Sequence, residues 1–422
     1  MSYSVFRGFP VVGGWRVARR HLVTALAALA VAAAAAPKVE KFVAPEVLAE
    51  ADRVWRLGEQ GDAVEAARQG DALVRAADAL READRLEEAR EYYRRAGLVR
   101  PWDFATKLRQ ADTLLRLGDS AGAREVAAPV ARYVETDAEL AECRRFTGAA
   151  EPAPLPRLAD APPAADEVVI ALVATPTTER WLVQAVGRTL AAQLGARVTL
   201  AATDWPIGKP DRTGRVFLAN ELRRTLPWDD PRMGLVRLNG EQFKPENLNA
   251  DQVIELMRTL LTREANAKGL EALAARVAAA DKILQWSGPG LLPRLQADFP
   301  PPAQGRVVYL ALLPVDLYAG RSGHVFGSAA GEGGYAVVSY NRFTAATTGE
   351  PARSARLAER TTKQLLSSLG FALGVPRCAD PGCARSYPHS LAEHDAKGTG
   401  LCAACRAGLA RALGHELPAA AE

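Results

Sequence analysis

Histidine and cysteine are both scarce in this sequence, with five of each among 422 residues. Few imidazoles and thiols are therefore available to hold a zinc, so each can be weighed singly. His21 lies near the N-terminus, His324 and His415 stand alone, and His389 and His394 are five apart in a loop-like stretch, where histidines are ordinarily solvated. Neither sign of charge dominates. The 53 basic and 49 acidic residues leave a formal +4, too weak and too evenly spread for a nucleic-acid footprint, so no nucleic-acid partner is expected. Aromatic residues make up only 6%, which with abundant alanine describes a helix-rich composition and no particular chemistry. An apolar run long enough to span a bilayer is also lacking, because Leu22 to Ala36 falls short of the ~20 residues required.

That run follows Arg7, Arg16, Arg19, Arg20 and His21, so residues 1–36 read as a charged and then apolar export signal, with cleavage near Ala34 to Ala36. Arg19-Arg20-His21-Leu22-Val23 also fits the twin-arginine pattern. The expected location is periplasmic or extracellular. Left uncleaved, the segment would anchor the chain to a membrane.

With 48% apolar residues over this length, the chain can bury more than one core, since single domains usually run to ~100–200 residues. The expected fold class is α+β, an α-helical repeat domain followed by an α/β domain. Residues 44–145 read as helices throughout. Leu80, Asp84, Ala89 and Tyr93 recur 34 positions later as Leu114, Gly118, Ala123 and Ala127, a period similar to that of tetratricopeptide repeats. Such arrays bind peptides or simply pack, and both readings stand. Cys143 is isolated there and suits a small buried hydrophobe.

A Pro/Ala-rich linker is expected over 146–166, and a second domain over 167–416. Glu167 to Thr175 reads as a strand, Glu179 to Gln193 as a helix, and Ala196 to Thr203 as a strand. A helix over Arg215 to Leu226 leads into an insert at 227–305 with helices over Ala250 to Thr262 and Lys268 to Leu284. Arg306 to Pro314 is a further strand, Tyr335 to Ser339 alternates as a sheet edge would, and helices are expected over Arg356 to Gly374 and Ala403 to Leu413.

Cys378 and Cys383 are separated by 18 residues from the tight pair Cys402 and Cys405. That spacing suits four thiolates around one tetrahedral zinc, while two disulfides remain the rival in an oxidising compartment. In either case the bond clamps the C-terminal helix and is structural.

The order of Val315-Asp316-Leu317-Tyr318, Val325-Phe326-Gly327, the Ala336-Val337-Val338-Ser339 strand with Arg342, and the helix leading into the cysteine-rich tail resembles the archaemetzincins. These are zinc-dependent peptidases with a mixed sheet, an active-site helix and a second, structural zinc. Gly374 stands four residues before Cys378, and Ser390-Leu391, Asp395 and Lys397 also fall where the family has its Ser-Leu, Asp and Lys. The resemblance implies a metzincin-like α/β domain with a zinc-bound, cysteine-rich tail.

Set on Gly374, the family's His-Glu-x-x-His-x-x-Gly-x-x-His run falls on Ser367 to Arg377. Ser367, Phe371 and Arg377 take the three histidine positions, Ser368 takes the general-base position, and Arg385 stands where the family has a methionine beneath the metal. A hydrolytic zinc needs imidazoles, an open position for water and a carboxylate base, so the resemblance implies one structural zinc on the four cysteines and no catalytic zinc. Three functions follow as expectations: an exported pseudopeptidase that binds a peptide or protein partner, a metallopeptidase with a non-standard site, or a scaffold acting through its helical repeats.

Overall fold

A computed structural model describes residues 43–225, 236–238, 241–243, 247–263, 271–320, 323–331 and 333–419. The export segment over 1–36, and the stretches of the 227–305 insert not covered by those spans, lie outside the described residues. The chain divides into two compact units after Pro101.

The first unit holds α1 (Pro45–Glu59), α2 (Ala63–Gln69), α3 (Asp71–Glu82) and α4 (Leu86–Val99). Its cores are built largely of small residues, with Ala51, Ala72, Ala76 and Ala96 around Val54 and Leu73, and Ala77, Ala89 and Tyr93 around Leu80. Alanine at these crossings lets helix axes approach closely. The turn into α2 uses Gly61 at φ +90°, followed by Asp62, whose carboxylate accepts from the Glu65 N–H (3.1 Å) and caps the helix.

The second unit opens with α5 (Phe104–Arg116), α6 (Ser120–Ala127) and α7 (Asp137–Thr147). Gly118 at φ +83° and Asp119, which accepts from the Gly122 N–H (2.7 Å), repeat the turn seen before α2. Cys143 is buried among these helices beside Leu140 and Phe146, and burial, then Glu139 and Glu142, push its thiol up to about 11. The helical stretch expected as one domain over 44–145 thus splits, because α7 is tied to the α/β part of the chain. The Asp137 carboxylate accepts from the N–H groups of Arg180 (2.5 Å) and Trp181 (2.8 Å) at the start of α8 (Arg180–Leu194). In return Glu179 accepts from the Asp137 N–H (2.5 Å).

The main sheet among the described residues runs in the order β2 (Val198–Ala202), β1 (Val168–Ala174), β7 (Arg306–Leu313), β10 (Tyr335–Ser339), β9 (Gly327–Ala330). The first four are parallel and β9 is antiparallel to β10. Helices cover both faces, so β1 and β7 are continuous apolar runs. Ile170, Leu172 and Ala174 of β1 face the core shared with α8, α14 (Ser354–Ala372) and α16 (Ala403–Leu413). Val169, Ala171 and Val173 face the opposite core, against Leu291 and Leu295 of α12 (Gly288–Asp298). Helix α9 (Gly214–Thr225) leads into the insert, which contributes the strand pair β4 (Val236–Leu238) and β5 (Glu241–Phe243), α10 (Ala250–Arg263) and α11 (Glu271–Ala279). A smaller sheet joins β3 (Arg212–Thr213), β6 (Leu284–Ser287) and β8 (Asp316–Tyr318).

Three sequence expectations are corrected. The stretch expected as linker is partly packed: Leu155 is buried in the sheet core, Gly187 of α8 leaves it room, and the Leu200 N–H donates to Pro156 O (2.8 Å). The Tyr335–Ser339 strand is not an edge, because β9 pairs on its far side and all five of its residues are buried. The helix expected over Lys268 to Leu284 ends at Ala279, and β6 begins at Leu284.

Candidate metal centre and adjoining groove

Helix α14 runs under the sheet with Leu357, Leu365, Leu366 and Leu369 in the core. It stops at Ala372, and Gly374 then adopts φ +78°, a left-handed turn that glycine takes without steric cost. This turn carries the chain back past the helix end to Arg377 and Cys378.

Cys378, Cys383, Cys402 and Cys405 come together there, their sulfurs all within 4.8 Å of one another. Cys378 Sγ and Cys402 Sγ are 3.6 Å apart. A disulfide would bring two sulfurs to about 2.05 Å, whereas four thiolates at ~2.3 Å from one zinc lie roughly 3.8 Å apart. The donor set and its spacing fit a tetrahedral thiolate-bound metal. The backbone N–H groups of Arg385 and Cys402 both donate to Cys383 Sγ (3.4 Å). Burial pushes the Cys378 and Cys405 thiols up, and the Cys405 N–H helps hold Cys402 down. Thiolates in this setting need cations. Arg385, 3% exposed, supplies one: it donates to Cys405 Sγ (3.3 Å) and to the carbonyls of Val375 (2.9 Å) and Pro376 (3.1 Å). Its guanidinium lies where a Cβ on Gly370 would stand, so α14 has space for it only because that residue is glycine.

Ser367, Ser368, Phe371 and Arg377 share one cavity of about 290 Å³ beside this cluster, lined also by Gln364, Arg385, Tyr387 and Gly327 to Ala329 of β9. Among the described residues no histidine, aspartate or glutamate lines it. Ser367 donates to Arg385 O (3.4 Å), and Ser368 is buried and accepts from the Gln364 amide (3.2 Å). Phe371 is 37% exposed, and the Arg377 guanidinium lies 5.9 Å from its ring centre and 4.7 Å from that of Tyr387. A contiguous cavity of about 490 Å³ continues past Gly327 to His324 and His389. Burial, then Arg342, holds His324 down at about 4, so it is neutral, while His389 is exposed and paired with Glu393 (3.3 Å). Among the described residues the four cysteines form the one group of three or more metal-ligating side chains.

Gln364, Tyr387 and the β9 edge were not singled out in the sequence. Gly327-Ser328-Ala329-Ala330 has no strand signature, and nothing in the sequence marks a glutamine or tyrosine as a cavity wall.

Following the groove residue His389 in the chain is α15 (Leu391–Ala396), whose His394 is fully buried between Phe326 (5.4 Å) and Phe343 (4.8 Å), with neither ring nitrogen partnered. Burial, then Lys397 and Lys363, lowers it from 6.5 to about 3. Between those values the unfolded chain binds the extra proton and the folded chain does not. The stability tied to the neutral ring is therefore complete above pH 6.5 and is lost as pH falls toward 3. A His394→Phe variant is expected to show a flatter dependence of its urea midpoint on pH across that window, and a slope equal to that of the parent would refute this.

Residues 305–411 match peptidase family M54. The archaemetzincin of Pyrococcus furiosus is 30% identical over 106 residues, 25% of this chain and 55% of that protein. The one from Methanopyrus kandleri is 38% identical over 104 residues, 25% of this chain and 56% of that protein. The chain thus spans a little over half the length of these relatives. The crystal structure of the Methanopyrus kandleri archaemetzincin aligns at 19% identity with a TM-score of 0.35, covering 60% of this chain and 99% of the other.

Proposed function

We propose, taking as premise the archaemetzincin-like domain at residues 305–411, that this chain is an exported pseudopeptidase that binds a peptide or protein in its groove and carries one structural zinc. The observation that carries the reading is the lining of the cavity on α14, where Ser367, Ser368, Phe371 and Arg377 stand and the described residues supply neither an imidazole nor a carboxylate. Water there would have no metal to lower its pKa and no base to take its proton.

The groove keeps what binding requires. Strand β9 is a sheet edge. Ser339 N–H donates to Phe326 O (2.9 Å), which fixes the ladder so that Ser328 and Val337 exchange hydrogen bonds and the backbone groups of Gly327 and Ala329 point away from β10. A peptide laid along that edge can add a strand, with main-chain bonds giving affinity and the cavity giving selectivity. Zinc on Cys378, Cys383, Cys402 and Cys405 would hold the turn after α14 to α16. The segment at 1–36 supports export.

Elemental analysis of protein purified without added metal is expected to give one zinc per chain, with no hydrolysis of a fluorogenic peptide pool. Two zincs with chelator-sensitive cleavage would overturn the reading in favour of a metallopeptidase with a non-standard site.

A further inference from the structure

At the Phe371 end of the groove two guanidinium groups adjoin a cavity that no carboxylate lines among the described residues. Three other arginines of the same domain are neutralised: Arg342 by Asp316 (2.7 Å), and Arg356 and Arg360 by Asp395 (2.9 and 2.6 Å). Arg377 has no ion pair among the described residues. Its recorded contacts are the faces of Phe371 and Tyr387, which hold the guanidinium plane and leave its N–H edge open. Arg385 is 3% exposed and its Nε has no hydrogen-bond partner. Gln364, 8% exposed, uses one end of its amide on Ser368 and leaves the other unpartnered. Buried polar atoms without partners are uncommon, and two of them belong to side chains of this cavity's wall, although the Arg385 Nε itself packs against Gly370.

We infer that the cavity takes the free carboxylate at the C-terminus of an extended peptide, paired side-on by Arg377, with the open backbone groups of Gly327 and Ala329 meeting the last peptide unit. This rests on the peptide-binding reading above. A planar guanidinium held between two rings is preorganised for bidentate pairing with a carboxylate, so little side-chain freedom is lost on binding. An acidic side chain offers the same anion. The chain end is the better fit because about 290 Å³ lies at the small end of ligand sites. A terminal residue also brings the anion and a peptide N–H on one short unit.

The probe is a degenerate octapeptide pool made in two forms, with a C-terminal carboxylate and with a C-terminal amide. Affinity selection on the full chain yields sequences that are then titrated in both forms. The acids are expected to bind on the order of tenfold to a hundredfold more tightly than the matched amides, the scale of a hydrogen-bonded charge. Arg377→Gln is expected to abolish that ratio and Arg377→Lys to retain part of it. Because Arg377 is exposed, both variants should keep the parental zinc content and unfolding midpoint. Equal binding of acid and amide would overturn the inference while leaving the groove reading intact. Amides that bind through acidic side chains in an Arg377-dependent way would overturn the chain-end assignment. A pool with no binder in either form would sink the inference and the groove reading together.

Discussion

Cys402→Ser is expected to abolish binding of the zinc proposed for the four cysteines and to unfold the tail from Cys378 to Leu413. Three sulfurs and a hydroxyl no longer make a closed thiolate tetrahedron, and structural zinc sites of this kind couple roughly 10–16 kcal/mol of apparent binding free energy to folding. The consequence reaches the core, because Leu409 and Leu413 of α16 pack in the same cluster as Leu369 of α14, and Gly408 fits against Val375. Arg385 would lose the anionic surroundings that hold it and be left as a buried cation. Elemental analysis should fall from one zinc to none, and hydrogen exchange of residues 403–413 should lose its protection. Retained zinc with retained protection would mean that the metal sits elsewhere.

Arg360→Met is expected to cost the second unit about 3 kcal/mol. Arg360 is 2% exposed and donates to both Asp395 oxygens (2.7 and 2.6 Å), to Glu350 (2.9 Å) and to Phe343 O (3.2 Å). Removing one partner of a buried ion pair costs roughly 3–5 kcal/mol, and the low end applies because Glu350 and Asp395 are partly exposed and Arg356 remains on both. Burial works to raise the Asp395 carboxyl, but the hydrogen bonds from Arg360 and Arg356 outweigh it and hold it at about 2. This folded value lies below the ordinary 3.8, so the contribution is present above pH 3.8 and is lost as pH falls toward 2. Urea unfolding at neutral pH should show the loss, and the variant's deficit should shrink in acid. A deficit that stays constant with pH would show that packing, not charge, is at stake.

How much of this was legible in the sequence follows from how local each signal is. Helix α16 has the bounds expected for it, Ala403 to Leu413, because its limits are set by a neighbouring cysteine and a glycine. The four cysteines were identifiable as one group because metal ligation imposes spacing. Strand β10 was placed at the sheet edge since alternation reports which faces are apolar and says nothing about what pairs on either side. Strand β9, Gly327-Ser328-Ala329-Ala330, was missed because its small residues have low strand propensity and the hairpin with β10 holds it in place. Leu155 lies in a Pro/Ala-rich stretch that reads as linker, and only the gap left by Gly187 reveals that it is core. Arg385 was placed only at the family's methionine position, and its contact with Cys405 depends on how the chain folds around the cysteines and could not be seen from spacing.

The reciprocal cap between α7 and α8 bears on how this protein can be dissected. In parallel α/β folds the first helix N-terminus after β1 is where an anion commonly docks. Here Asp137 already occupies the Arg180 and Trp181 amides, so the chain supplies its own counterion from a preceding helix. A fragment cut at 305–411 would lose β1 and α8 altogether, and one beginning at 167 would leave that helix end bare and the sheet core without Leu155. The smallest piece that can be expected to fold independently as the second unit starts no later than Trp102.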